Sequence, residues 1–212
     1  MNIAISAKKM LWWSLLLVYT FFCILMLGIV LQYIPAGPDT AFLGIKQDYI
    51  ELPWYLPAFY IHVFTAILAL PAGFTQFQKK LRRKHPAVHR FNGRIYVFMI
   101  LLFGAPSGLV IGVYANGGVS SQIAFVLLAM LWWWFTWQAF VKAKKGLFRA
   151  HRIFMIRSFA LTLSAITLRA WKYVIVAAFH PHPMDAYRIV AWLGWTLNLL
   201  IAELIIYQIR RP

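Results

Sequence analysis

Acidic residues are nearly absent from this chain: 5 Asp and Glu stand against 21 Lys and Arg in 212 residues, a formal net charge of +16. Charged residues of both signs reach only 12%, about half the share in an ordinary soluble domain. So few charges cannot cover the surface of a soluble globule. A single cysteine, Cys23, excludes an internal disulfide and any cysteine-ligated zinc or iron–sulfur centre. There is no glycine-rich phosphate loop, no G-x-S-x-G, no H-E-x-x-H and no pair of carboxylates, so the usual soluble catalytic sets are missing. What the chain does have is apolar mass: 62% hydrophobic, 17% aromatic with 10 Trp, and a mean hydropathy of +0.70. This is the composition of an integral membrane protein.

Apolar runs of roughly 20 residues mark spanning helices, because a rise of ~1.5 Å per residue must cover ~30 Å of hydrocarbon. Six such runs are present, at about 10–33, 53–78, 94–115, 121–141, 152–179 and 187–209. Their short connections imply antiparallel neighbours, hence an all-α fold: a single six-helix transmembrane bundle over residues 1–212. The first run is longer than the apolar core of a signal peptide, and "LQYIPAGPDT" makes a poor cleavage site, so it reads as a retained anchor.

Charge placement gives the orientation. Lys8 and Lys9 precede the first run. Lys79, Lys80, Arg82, Arg83, Lys84, Arg90 and Arg94 gather around the second connection. Lys142, Lys144, Lys145, Arg149 and Arg152 gather around the fourth, and Arg210 and Arg211 close the chain. With six alternating helices all four groups face one side. The other side holds Lys46 and Arg188 beside Asp39, Asp48, Glu51 and Asp185. The positive-inside rule then puts both termini in the cytoplasm. The basic loops need no nucleic acid to explain them; the expected partner is the lipid bilayer and its anionic headgroups.

Two segments echo each other, "FTQFQKKLRRKHPAVHR" from residue 74 and "FTWQAFVKAKKGLFRAHR" from residue 135. Each leaves a span, crosses a basic turn and ends on His-Arg. The third and fifth spans are therefore parallel, with His89 and His151 at the same cytoplasmic depth.

Ionisable groups inside a bilayer are costly and mark functional or paired sites. Here they are His62, Arg157, Arg169, Lys172 and Glu203. Arg157 and Glu203 lie at similar depth from the inner face, which suggests a structural ion pair, although a substrate or proton role remains the alternative. Lys172 can snorkel to the outer headgroups. Arg169 has no acidic partner within the spans, so an anionic ligand or a carbonyl-rich cavity would suit it. At 100° per residue, His151 shares a face with Met155, Ser158, Thr162, Ala165 and Arg169. His89 shares one with Gly93, Ile100 and Ser107, and His62 one with Ala66, Ala69 and Gly73. Such small-residue stripes face a bundle interior, either for close helix packing or to leave room for a flat cofactor. Pro57, Pro71 and Pro106 should bend their helices unless neighbours satisfy the freed carbonyls.

Two facing histidines are the minimal protein part of a b-type haem site. His89 and His151 are the candidate axial ligands, and Arg90, Arg94, Arg149 and Arg152 stand where propionates would emerge. A zinc alternative would use His85, His89 and His151, but Pro86 should turn His85 away. His62, with Arg169, belongs to a separate outer-half site.

The segments "IHVFTAILALPAGFTQF", "HRFNGRIYV", "HRIFMIRSFALTLSAITLR" and "WLGWTLNLLIAE" resemble a bacterial membrane-protein family known as domain of unknown function 2306, from about residue 53 onward. The resemblance implies a multi-pass protein of the bacterial inner (plasma) membrane and carries no activity. More distantly the chain is similar to cytochrome b561. That likeness implies a four-helix core from spans two to five, with inner haem ligands on spans three and five, matching His89 and His151. It also implies outer ligands on spans two and four. His62 matches the first, but span four has no histidine, so at most one haem b is implied.

Three functions follow. The first is a redox protein, an oxidoreductase or electron carrier, with one bis-His haem at the inner interface and a quinone or redox protein as partner. The second is a small transporter with an outer-half cavity lined by His62 and Arg169. The third is a scaffold or assembly partner whose histidines are satisfied at helix ends.

Overall fold

The structure is a computed structural model that describes residues 2–211, without the side chains of residues 2–6 and of Lys8; the orientation argument drawn from Lys8 therefore lies outside the described residues. The chain is helical, with no strand among the described residues. In order it runs α1 (Asn2–Leu31), a 3-10 turn (Ala41–Ile45), α2 (Gln47–Ile50), α3 (Tyr55–Gln76), α4 (Lys79–Lys84) and α5 (Pro86–Phe98). A π turn (Met99–Gly104), α6 (Ala105–Val113), α7 (Val119–Lys144), α8 (Phe148–Thr162), α9 (Ser164–Phe179) and α10 (Pro183–Arg210) follow. Five stretches are long and apolar enough to cross a membrane: Lys9–Leu31, Tyr55–Gln76, Pro86–Val113, Val119–Lys144 and Pro183–Arg210. The pair α8–α9, bent by 42°, makes a sixth if it is counted as one span.

Helices α3, α5–α6, α7 and α8 close into a ring in which each packs on the next. Helix α10 lies against α7, α8 and α9, while α1 stands outside, packed mainly on α3 and α9. Its isolation leaves Leu11, Trp13, Leu15, Leu17 and Ile24 exposed, as a lipid-facing helix requires. The ring encloses a fully buried core of Ala69, Tyr96, Ile100 and Ala139, joined by Trp132 and Leu161.

The helix bounds differ from the hydropathy runs where local chemistry intervenes. The third span starts at Pro86, eight residues before its apolar run, because proline suits the first helical position. Arg90 and Arg94, in the turns that follow, are exposed and do not end the helix.

Within the same span Pro106 has no N–H to offer. The backbone responds by widening into the π turn, where the Ala105 N–H bonds to the Ile100 carbonyl. Side chains then satisfy the loosened carbonyls: Trp133 Nε1 donates to Leu101 at 3.2 Å, His62 Nδ1 bonds to Gly104 at 2.8 Å, and the Ser107 hydroxyl donates to Phe103. This is the rescue that proline in a membrane helix needs. Pro57 falls harmlessly in the first turn of α3, and Pro71 sits inside α3 without breaking it.

The break at Leu163 has no proline. Instead, hydroxyls compete for helix carbonyls on either side of it: Thr162 Oγ1 donates to Ser158 at 3.1 Å, and Thr167 Oγ1 lies 3.1 Å from the Leu163 carbonyl. Such back-bonding bends helices. Asn198 of α10 clasps both halves, donating to the Ala160 carbonyl at 3.1 Å and to Thr167 Oγ1 at 2.9 Å.

One close approach sets the ring diameter. A Cβ on Gly73 would meet Tyr96 Cε2 at 2.6 Å and Phe159 Cδ2 at 2.7 Å. Gly73→Ala is therefore expected to overpack α3 against α5 and α8 and to cost about 1–3 kcal/mol, read as a lower unfolding midpoint in detergent.

The connection between α1 and α3 folds over the end of the bundle opposite the basic turns. Tyr33, Leu43, Tyr55 and Phe59 form its core. Lys46 is 2% exposed; its ammonium donates to the Tyr114 carbonyl and Asn116 Oδ1 and lies 5.2 Å from the Tyr49 ring centre. Burial pushes its pKa down from 10.5 to about 8. Between these two values the unfolded cap binds more protons than the folded one, so this group adds stability as pH rises. The melting of the cap, followed by Trp54 fluorescence, is expected to shift upward from pH 8 to 10 and to lose that shift in Lys46→Met.

Candidate functional site

At the end of the ring where the basic turns gather, Pro86 opens α5 and Phe148 opens α8, so the two helices enter in parallel. They are diagonal rather than adjacent: α5 packs on α3 and α7, and α8 packs on α7 and α3. His89 and His151 occupy the first turn of each. His151 Nδ1 is 2.8 Å from the Ala139 carbonyl of α7. A carbonyl can only accept, so Nδ1 carries the proton and Nε2 keeps its lone pair. His89 differs: its Nδ1 is buried and has no hydrogen-bond partner. Around the pair, Arg90, Arg94, Arg149 and Arg152 are exposed.

Polar side chains pin α3 to this end. Gln76 Nε2 donates to the His89 carbonyl at 3.3 Å and Asn92 Nδ2 to Thr75 Oγ1 at 3.1 Å. Seven residues beyond His89 lies Tyr96, and seven beyond His151 lies Ser158, about 10 Å deeper by helix rise. There the diagonal is bridged. The Tyr96 hydroxyl is 2.7 Å from Ser158 Oγ and 2.8 Å from Thr162 Oγ1; Trp132 Nε1 donates to Thr162 at 2.9 Å, and Thr136 Oγ1 is 2.7 Å from Ser158 Oγ. All five side chains are buried, and their mutual bonds offset the cost of burying them.

Other candidate residues fall elsewhere. Arg157 and Glu203 form the expected pair, Nε to Oε1 at 2.5 Å and Nη2 to Oε2 at 2.9 Å, with the guanidinium near the rings of Phe135 and Phe154. His62 spends its Nδ1 on the π turn. Arg169 donates to the Ala165 carbonyl of its own helix at 2.6 Å, and its charge is felt at His62 and Tyr33. The three-histidine zinc alternative is not assembled: among the described residues no three His, Cys, Asp or Glu side chains lie where they could share an ion.

Tyr96 and its hydroxyl partners escaped the sequence reading, although Ser158 and Thr162 lay on the His151 stripe. The available signal was the seven-residue spacing, which puts Tyr96 on the His89 face as well. Attention to small residues passed over it.

No curated protein and no solved structure matches the chain. A family model does, over residues 59–206, taking in all of the ring but the first turn of α3, and most of α10. The family is described as predicted membrane protein, domain of unknown function 2306, and this chain belongs to it.

Proposed function

We propose that the chain crosses the bilayer six times, with both termini in the cytoplasm, and holds one haem b at the cytoplasmic end of its ring as a membrane electron-transfer protein. The observation that carries the reading is the buried, unpartnered His89 Nδ1 beside His151. A buried imidazole nitrogen without a bond is costly, and ring reorientation on ligation would release it. The Ala139 carbonyl does for His151 what second-shell acceptors do for metal-binding histidines: it fixes the tautomer and raises the basicity of Nε2. The diagonal placement of α5 and α8 suits two ligands approaching one axis from opposite sides.

When bound, the haem would supply a one-electron carrier. The residues of the chain divide the remaining work. His89 and His151 would ligate the iron through their free lone pairs. Arg90, Arg94 and Arg152 would pair with the propionates at the headgroup level, and the Tyr96 network would floor the site. Because His62 is committed to the Gly104 carbonyl and α7 offers no outer ligand, exchange would take place at the inner face, with a quinone in the membrane or a redox protein in the cytoplasm. A haemochrome assay of protein purified from haem-replete cells should count one haem per chain. Reporter fusions at the C terminus should be active only on the cytoplasmic side.

A second reading draws on the Tyr96 bridge itself. It ties the ring together two turns below the histidines, as a rigid scaffold for another membrane protein would require. In that case the purified chain is colourless.

A further inference from the structure

All five carboxylates of the chain can be placed. Glu203 pairs with Arg157, Asp185 with Arg188 at 3.0 Å, and Asp39, Asp48 and Glu51 lie in the cap between α1 and α3. None reaches Arg169. Its guanidinium is partly buried in the outer half of a spanning helix, nearly two turns past the Leu163 break, and among the described residues it has a single hydrogen bond, to its own helix. A guanidinium has five donors and no means of shedding its charge. A charge at this depth needs a counter-ion, because hydrocarbon provides neither water nor acceptors.

The surroundings define what could supply one. Arg169 follows Ile166 by one turn on α9, and Ile166 packs with Met26 of α1 and Leu70 of α3 in a buried cluster that Leu163 and Ala165 flank. The walls are therefore apolar. Lys172, one turn nearer the outer face on the same helix, is exposed. The two cations make a step from the outer headgroups inward. Helix α1 meets the ring through this buried contact and a hydrogen bond from the Tyr19 hydroxyl to the Leu70 carbonyl at 2.8 Å, and its opposite face is exposed.

From this we infer that Arg169 binds the anionic head of an amphiphile that enters from the outer leaflet beside α1, its chain lying along the apolar seam. The shared chemistry is a phosphate or carboxylate oxygen pair facing a guanidinium, which can engage it by two parallel bonds. The site is separate from the inner histidines and does not depend on haem.

The test uses the full chain, delipidated in a neutral detergent. Oleate and dioleoyl phosphatidylglycerol are titrated separately, with dioleoyl phosphatidylcholine as the third arm. The unfolding midpoint should rise and saturate with an anionic amphiphile; Arg169→Gln should lose the shift, while Arg169→Lys and Lys172→Gln should keep part of it. A response to oleate alone identifies a carboxylate ligand, and a response to phosphatidylglycerol alone a lipid phosphate. Modification of Arg169 by phenylglyoxal, located by peptide mass, reads the wild-type chain directly should Arg169→Gln not fold. The anionic amphiphile is expected to protect it. Equal modification with and without amphiphile, or an unchanged shift in Arg169→Gln, overturns the proposal.

Discussion

Glu203→Leu is expected to destabilise the bundle by about 3 kcal/mol, the scale of breaking a buried pair by removing one partner or of leaving an arginine alone in a membrane helix. The Arg157 side chain is 18% exposed and that of Glu203 44%, so the pair is partly buried and the expected loss lies at the lower end of the buried-pair range. Both oxygens of Glu203 are used, and Arg157 also lies against Phe135 and Phe154, which hold the guanidinium in place. Taking the carboxylate away strands the cation; removing both charges does not. Arg157→Met combined with Glu203→Leu should therefore recover most of the loss, and a double-mutant cycle on unfolding midpoints reads the coupling. Additive single losses would show that the pair contributes nothing.

His151→Ala and His89→Ala are each expected to abolish haem binding while the chain still inserts and folds. The two substitutions should differ in a second readout. His151 gives up a bond to Ala139 when it is truncated, whereas His89 has no partner at Nδ1 to lose. His151→Ala should thus lower the unfolding midpoint of the haem-free chain more than His89→Ala does. Equal haem content in parent and variants would return both histidines to a role in helix packing.

The parts of this molecule that were legible in the sequence are those set by the bilayer. The helices long enough to span and the basic turns between them follow from length and charge alone, as does the place of His89 and His151 at the start of two parallel helices. The Arg157–Glu203 pair was legible too, because each cation in lipid demands an anion and only one was on offer. What the sequence concealed depends on contacts between helices. Nothing in "LTLSAI" signals a 42° bend; it takes Thr162, Thr167 and Asn198 acting together across two helices. The π turn is written in Pro106, but its width is set by His62 and Trp133 arriving from α3 and α7. Lys46 looked like an ordinary outer-loop charge, and only the folded cap shows that it is enclosed by Tyr49, Asn116 and Phe42. The candidate haem site lies between these cases: both histidines could be named in advance, but the Ala139 bond and the unpartnered Nδ1 could not.

The most direct measurement on the central claim is the reduced-minus-oxidised visible spectrum of the detergent-purified chain from haem-replete cells. A b-type difference band, present in the parent and absent from His151→Ala, is the result the account predicts. A colourless parent that melts cooperatively would contradict it.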